Sequence, residues 1–205
     1  MSGRDPPRES AGWELFYSLA KRVARMLQAS GYEPDFIVGL TPGGWVLGRI
    51  LGDLLGVKNM ASLRVEHWDP AAGSDGRAPL TSPLRGDLSG RRVLMVDDVA
   101  GSEERMGKAV EFVRGLNPME VRTAALWRIE GSGFTPDFCG DEVGRRPAIL
   151  PWSFTRDLRA IVSELADECT DLDELRERIR RRHGIEVDAP RLSQALGELD
   201  RRPRG

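Results

Sequence analysis

The sequence predicts an α/β fold, a mostly parallel sheet flanked by helices, and three observations predict it. A short apolar run, DFIVGL (Asp35–Leu40), passes straight into the turn TPGG and then into the helical stretch WVLGRILGDLLG. Strand, glycine turn and helix in that order are the repeating unit of α/β proteins. A second run, RRVLMVDDV, is apolar throughout Val93–Val96, the pattern of a central parallel strand buried on both faces. A third, VRTAALWRI, follows after another helical pattern.

The elements fall in order along the chain. Residues 1–11 are expected to be a disordered lead-in. From Trp13 to Ala29 the apolar positions Leu15, Phe16, Leu19, Val23, Met26 and Leu27 recur at helical spacing, and Gly31 ends the run. After the first strand and its helix, ASLRVEHW (Ala61–Trp68) alternates enough to be a strand. Residues 69–90 are rich in Gly, Pro, Ser and Asp; a loop of that length between strands predicts a lid over a site. Glu103–Leu116 is an amphipathic helix, and 131–152 reads as irregular, closing on a short strand and a Pro-Trp pair. The tail then gives three short helical patterns, RDLRAIVSELAD, TDLDELRERIRRRHG and DAPRLSQALGELDRR. Thr170 is expected to cap the second of these and Gly184 to close it. The chain therefore divides into a lead-in at 1–11, an α/β domain at 12–155 and a helical appendage at 156–205.

Composition narrows the function classes. A chain of 205 residues, 40% hydrophobic and 30% charged, with net charge −2, has no global pull toward nucleic acid or anionic membrane. No apolar run reaches the roughly 18 residues of a membrane span. Cys139 and Cys169 stand far apart with only His67 and His183 beside them, which argues against a zinc site or a disulfide framework. Two reduced thiols in a cytoplasmic protein are expected.

Ligands of open α/β sheets sit beyond the carboxyl ends of the strands. Two places qualify. At Thr41–Gly44 the glycines let backbone N–H groups approach an anion at a helix start; a tight turn needs glycine for steric reasons about as often. At Asp97–Asp98 two acids end a buried strand, which is costly unless they are hydrated, paired or liganded. They suit ribose hydroxyls, directly or through Mg²⁺, which prefers oxygen ligands.

In order and spacing, DFIVGLTPGG, LRVEHW, DLSGRRVLMVDDVA, VRTAALWR, PDF and ILPW resemble the type I phosphoribosyltransferases, and within them the archaeal and bacterial 6-oxopurine branch. The resemblance covers roughly residues 12–155. It implies displacement of pyrophosphate from phosphoribosyl pyrophosphate by a purine nitrogen, with Mg²⁺ and a closing loop, in a protein that is commonly a homodimer. It further implies that Asp97 and Asp98 face the ribose and serve catalysis and the metal. Thr41, Gly43 and Gly44 would face pyrophosphate. Ala100, Gly101, Ser102 and Glu103 would form the 5′-phosphate loop. The lid would lie at 69–82, and the segment 128–152 would be a hood over the base, with Arg128, Ile129, Pro147 and Trp152 at its key positions.

The departures from that pattern are specific. Gly101 stands where the family has an acid, and Glu103 and Glu104 stand where a phosphate would rest. Ser102 followed by two Glu is also a good helix start. Ile129 replaces a lysine that reads the purine O6, with Arg128 on the other strand face, and Pro147 replaces a stacking aromatic. Three functions stay open: a 6-oxopurine phosphoribosyltransferase, a non-catalytic nucleotide or phosphoribosyl-binding regulator, and a partner-binding protein that keeps only the fold. The tail reads as a helical cap or dimerisation element. Its alternative is a helix-turn-helix module reading DNA through 157–205, with Arg191, Ser193 and Gln194 on the recognition helix. Arg180, Arg181, Arg182, Arg201, Arg202 and Arg204 could meet phosphates, against nearly as many acids.

Overall fold

A computed structural model of the chain describes residues 12–64, 84, 87–101, 103–144, 149–165 and 168–199. The chain divides into two compact units, Glu14–Arg145 and a second made of Arg146–Gly205 with the residues up to Trp13. The division falls ahead of the boundary expected at 155/156, because Ile149 is buried in the core of the second unit. No described helix is long and apolar enough to cross a membrane.

The first unit is a parallel sheet flanked by helices, the α/β class expected from the sequence. Among the described residues its strands are β1 (Phe36–Leu40), β2 (Met60–Leu63), β3 (Arg92–Ala100), β4 (Glu120–Ile129) and β5 (Phe138–Val143), in the order β2-β1-β3-β4-β5. Every pairing is parallel, with Val38 opposite Met95 and Val96 opposite Ala124. The helices are α1 (Trp13–Ala29), α2 (Gly43–Leu55) and α3 (Glu103–Arg114).

Alternation along the strands sorts the two faces. Val38, Leu40, Val93 and Met95 pack with Met106, Ala109 and Val113 of α3. Ile37 and Val96 face α2, whose Gly48 is so close that a Cβ there would stand 3.2 Å from Val96 and 3.3 Å from Ile37. A Cβ at Gly140 of β5 would stand 3.3 Å from Leu19, so α1 covers the far end of the same face. The central strands are buried on both sides, which is why they read as continuous apolar runs.

The chain leaves β1 for β2 on one side and returns to β3 on the other. The order of the strands therefore reverses between β1 and β3, and a crevice opens beyond their carboxyl ends. Asp35 at the foot of β1 and Arg92 at the foot of β3 pin the opposite end. The Arg92 side chain donates twice to the Asp35 carboxylate, and the Arg92 backbone N–H donates to it at 2.9 Å.

The sequence reading misses β5, which it places in irregular chain. FCGDEV has no apolar alternation, since β5 is an edge strand with only Phe138 and Gly140 buried. Its start is tied to β4 by Asp137, whose carboxylate accepts from the Thr123 N–H and hydroxyl, each at 2.7 Å. The strand expected at 61–68 is observed over Met60–Leu63, and residues 65–68 lie outside the described residues. Of the lid expected at 69–90, residues 69–83 and 85–86 lie outside the described residues.

The second unit carries three helices, α4 (Phe154–Leu165), α5 (Leu172–His183) and α6 (Ala189–Leu199). Leu158, Ile161, Leu175, Ile179, Leu192 and Ala195 are among the residues of its core. The cap of α5 is Asp171 rather than Thr170: the Asp171 carboxylate accepts from the Glu174 N–H at 2.8 Å. Thr170 instead donates its N–H and hydroxyl to the Glu174 carboxylate. Gly184, at φ 66°, closes the helix as expected.

Candidate functional site

Both places singled out in the sequence lie at the β1–β3 crevice, and the structure brings them into contact. The turn after β1 runs Thr41, Pro42, Gly43, Gly44, with a cis peptide between Thr41 and Pro42. Its start is fixed from β2, since the Thr41 N–H donates to the Leu63 carbonyl at 3.0 Å. Any side chain at 43 would collide with the Asp98 carboxylate. Any side chain at 44 would collide with the Val96 carbonyl and stand 2.9 Å from the Asp97 Cα. Gly44 is therefore required by close approach to the backbone of β3, Gly43 leaves room for the Asp98 carboxylate, and neither has a positive φ.

Alternation sends the two acids to opposite faces. Asp98 lies on the α2 face over Gly43, half-buried, its carboxylate accepting from the Val99 N–H at 2.9 Å. Asp97 lies on the α3 face and is only 3% exposed. Its Oδ1 accepts from the Asp98 N–H at 3.0 Å, and its Oδ2 stands 3.6 Å from Nη1 of Arg105. Burial pushes the Asp97 carboxyl well above the usual carboxylate range and the charge of Asp98 adds to this, while the Arg105 guanidinium pulls the other way. At 3.6 Å that ion pair is longer than a charge-assisted hydrogen bond and does not offset the burial.

Arg105 was not among the residues singled out from sequence. It sits in the first turn of α3, and its Nη2 also donates to the Thr41 carbonyl at 3.0 Å. An arginine one residue past two acids looks like an ordinary helix-surface residue, so its reach to two other strand ends left no mark in the pattern.

The other end of the site differs. Ala100 ends β3, buried, and Gly101 follows it, exposed. A Cβ at Gly101 would stand 2.9 Å from Cδ1 of Ile129, so the two departures from the family pattern face each other across β3 and β4. Arg128 is committed elsewhere: Nη2 donates to Glu142 at 2.6 Å and Nη1 to Thr135 at 3.1 Å, bracing β4 against β5. Glu103 begins α3, while Ser102 and Pro147 lie outside the described residues. Trp152 belongs to the second unit, where its ring centroid is 6.0 Å from that of Trp13.

Of the two acids, the half-buried Asp98 carboxylate is the one that offers a hard oxygen ligand to Mg²⁺, since Asp97 is buried on the other face; among the described residues no group of three or more His, Cys, Asp or Glu stands together. Mg²⁺ is ordinarily held by one or two carboxylates and completes its shell with water and ligand phosphates.

Comparison with known proteins gives three further findings. Residues 12–152 match the model of the family described as the phosphoribosyl transferase domain. The chain is similar to the xanthine-guanine phosphoribosyltransferase of Gluconobacter oxydans (strain 621H), 25% identical over 140 residues, 68% of this chain and 81% of that one. Among solved structures it is similar to a purine phosphoribosyltransferase from Pyrococcus horikoshii OT3, with TM-score 0.62 and 24% identity over 70% of this chain and 91% of that one. It is also similar to a protein from Neisseria gonorrhoeae with bound ppGpp, with TM-score 0.60 and 19% identity over 72% of this chain and 90% of that one.

Proposed function

The chain belongs to the phosphoribosyl transferase domain family, and on that premise we propose that its α/β unit binds phosphoribosyl pyrophosphate and transfers the phosphoribosyl group to a 6-oxopurine. The observation that carries this reading is the seating of the Asp98 carboxylate on Gly43. It sets a glycine turn at a helix start against an acid at the point where the strand order reverses, where ligands of such sheets sit.

In this reading Thr41, Gly43 and Gly44, backed by the start of α2, hold pyrophosphate. Asp98, backed by Asp97, would hold the ribose hydroxyls and Mg²⁺. Bound Mg²⁺ would neutralise the pyrophosphate and ease its departure. The bond from ribose C1 to pyrophosphate oxygen breaks, a bond from C1 to a purine nitrogen forms, and the proton of that nitrogen passes to solvent water as pyrophosphate leaves with the bonding electron pair. The carboxylates stabilise positive charge developing on the ribose as the first bond breaks. Ala100 and Gly101 stand at the 5′-phosphate end and Ile129 at the base end. No side chain at 101 is available to take the departing proton.

That last point favours a second reading. With Gly101 facing Ile129, the base end presents neither an acid nor a cation at these two positions. A protein that binds a nucleotide or phosphoribosyl ligand without turning it over needs neither. The ppGpp found in the Neisseria gonorrhoeae neighbour supports that reading as an example of the same fold holding a nucleotide. The DNA-binding version of the tail gains less. Arg176, Arg178, Arg180, Arg181, Arg182 and Arg191 each pair with an acid of the same unit, so phosphate contacts would cost those pairs.

The deciding experiment incubates the full chain with phosphoribosyl pyrophosphate, Mg²⁺ and xanthine, hypoxanthine or guanine, and measures pyrophosphate. The first reading expects release that depends on the base. Binding without release at high protein concentration would leave the second. Retention of DNA fragments that vanishes on deleting 157–205 would restore the helix-turn-helix role.

A further inference from the structure

We propose that Arg105 is a positioning residue that holds the Thr41–Gly44 turn and the Asp97 carboxylate as one unit. Its guanidinium leaves the first turn of α3 and reaches two other elements. Nη2 donates to the Thr41 carbonyl at 3.0 Å, at the end of β1, and Nη1 stands 3.6 Å from Asp97 Oδ2, on β3. The side chain is 28% exposed, so the contact sits partly out of water. A guanidinium suits both targets because its donors are fixed in a planar fork, whereas an ammonium is a point charge on a flexible stem.

The turn is then held from two directions. On one side the Thr41 N–H is bonded to Leu63 of β2; on the other, the Thr41 carbonyl is bonded to Arg105 of α3. The glycines that follow have no room to shift toward β3. Arg105 thus sets where the turn stands relative to the two acids without itself needing to touch a ligand. For ligand affinity the proposal rests on the phosphoribosyl reading above; for the position of the turn it does not.

The test uses the full chain with Arg105→Met, Arg105→Lys and the double change Asp97→Asn with Arg105→Met. Two quantities are read: amide exchange at Thr41 without ligand, and binding of phosphoribosyl pyrophosphate with Mg²⁺ by calorimetry. In Arg105→Met, Thr41 exchange is expected to quicken by about tenfold, the size of one hydrogen bond to a charged group, with a similar loss of affinity. Arg105→Lys is expected to bring the thermal midpoint back toward wild type while Thr41 exchange stays fast and affinity stays low. The double change removes the unpaired buried charge and is expected to leave Thr41 exchange fast; it and the Lys variant decide the matter if Arg105→Met does not fold.

Full recovery of exchange and affinity in Arg105→Lys would reduce the residue to a charge neutraliser and overturn the proposal. Wild-type exchange at Thr41 in the Met or double variant would overturn it as well. If no phosphoribosyl ligand binds the wild type while Thr41 exchange responds as expected, the functional reading fails and the positioning role stands. If the ligand binds equally to wild type and Arg105→Met, with exchange unchanged, the positioning role fails and the reading stands.

Discussion

The two ends of the crevice are built by opposite logic. At Asp97–Asp98 the backbone of the turn lies against the end of β3 so closely that positions 43 and 44 have no space for a carbon atom. At Gly101 the neighbour is the tip of the Ile129 side chain, which can swing aside. One end is dictated by packing, the other by side-chain chemistry alone. In the proposed reading the first end keeps the two acids that would serve a ribose, and the second carries glycine and isoleucine where the resemblance expects an acid and a lysine. A family relationship therefore carries over strongly at the turn and the acids and weakly at the base.

Changes at the packed end should have the largest effects. Gly44→Ala puts a methyl against the Val96 carbonyl, a backbone atom that cannot rotate away. It is expected to cost about 3 kcal/mol, read from the urea midpoint. Gly43→Ala meets only the Asp98 side chain. The carboxylate can turn, so the stability cost is expected near 1 kcal/mol. Affinity for phosphoribosyl pyrophosphate should fall by about tenfold, because the acid no longer stands over the turn. Equal stability losses at 43 and 44 would break the distinction between backbone and side-chain contact.

The other end should respond by gaining function. Gly101→Asp with Ser102→Thr and Glu103→Gly rebuilds the family's loop. It is expected to tighten phosphoribosyl pyrophosphate by about fivefold: Glu103→Gly takes one like charge away from the phosphate end, worth about that much at contact distance in water, while Gly101→Asp moves the negative charge toward Ile129. A binding isotherm unchanged from wild type would show that the loop does not stand where the resemblance puts it.

The smallest effect is a pH dependence at Asp97. Its carboxyl is raised in the folded state, so between its ordinary value and its raised value the folded protein holds more protons than the unfolded one. The stability it contributes is present at low pH and lost as pH rises through that window. Asp97→Asn cannot ionise. Its stability relative to wild type should therefore rise with pH above the usual carboxylate range, in paired denaturation series. Asp35, held below its ordinary value by hydrogen bonds from Arg92, works in the other direction, with stability lost as pH falls through its lowered value. It is common to both proteins and cancels in the difference.

The fold was legible where burial is two-sided or strictly periodic. FIVGL and RVLMVDDVA are strands because continuous apolar runs have one comfortable place in an α/β protein, and α1 is read to its end residues from its stripe. β5 was not, since an edge strand of Cys, Gly, Asp and Glu has no pattern to show and exists through its pairing with β4. At the site, Asp97, Asp98, Gly43 and Gly44 stood out because each residue type is expensive or unusual where it sits. Their mutual contact did not, because residues more than fifty positions apart are joined only by topology. Arg105 was invisible for a related reason: one partner is the Thr41 carbonyl in the turn after β1, 64 positions away, and its pairing with Asp97 of β3 is set by how α3 packs back on the sheet.

The central claim is that the junction of Gly43 with Asp98 forms half of a phosphoribosyl site. Titrating phosphoribosyl pyrophosphate with Mg²⁺ into the full chain, beside the Asp98→Asn variant, tests it most directly. The account predicts saturable binding by the wild type, weakened by about tenfold in the variant. Absence of binding by the wild type, or equal binding by both, would contradict it.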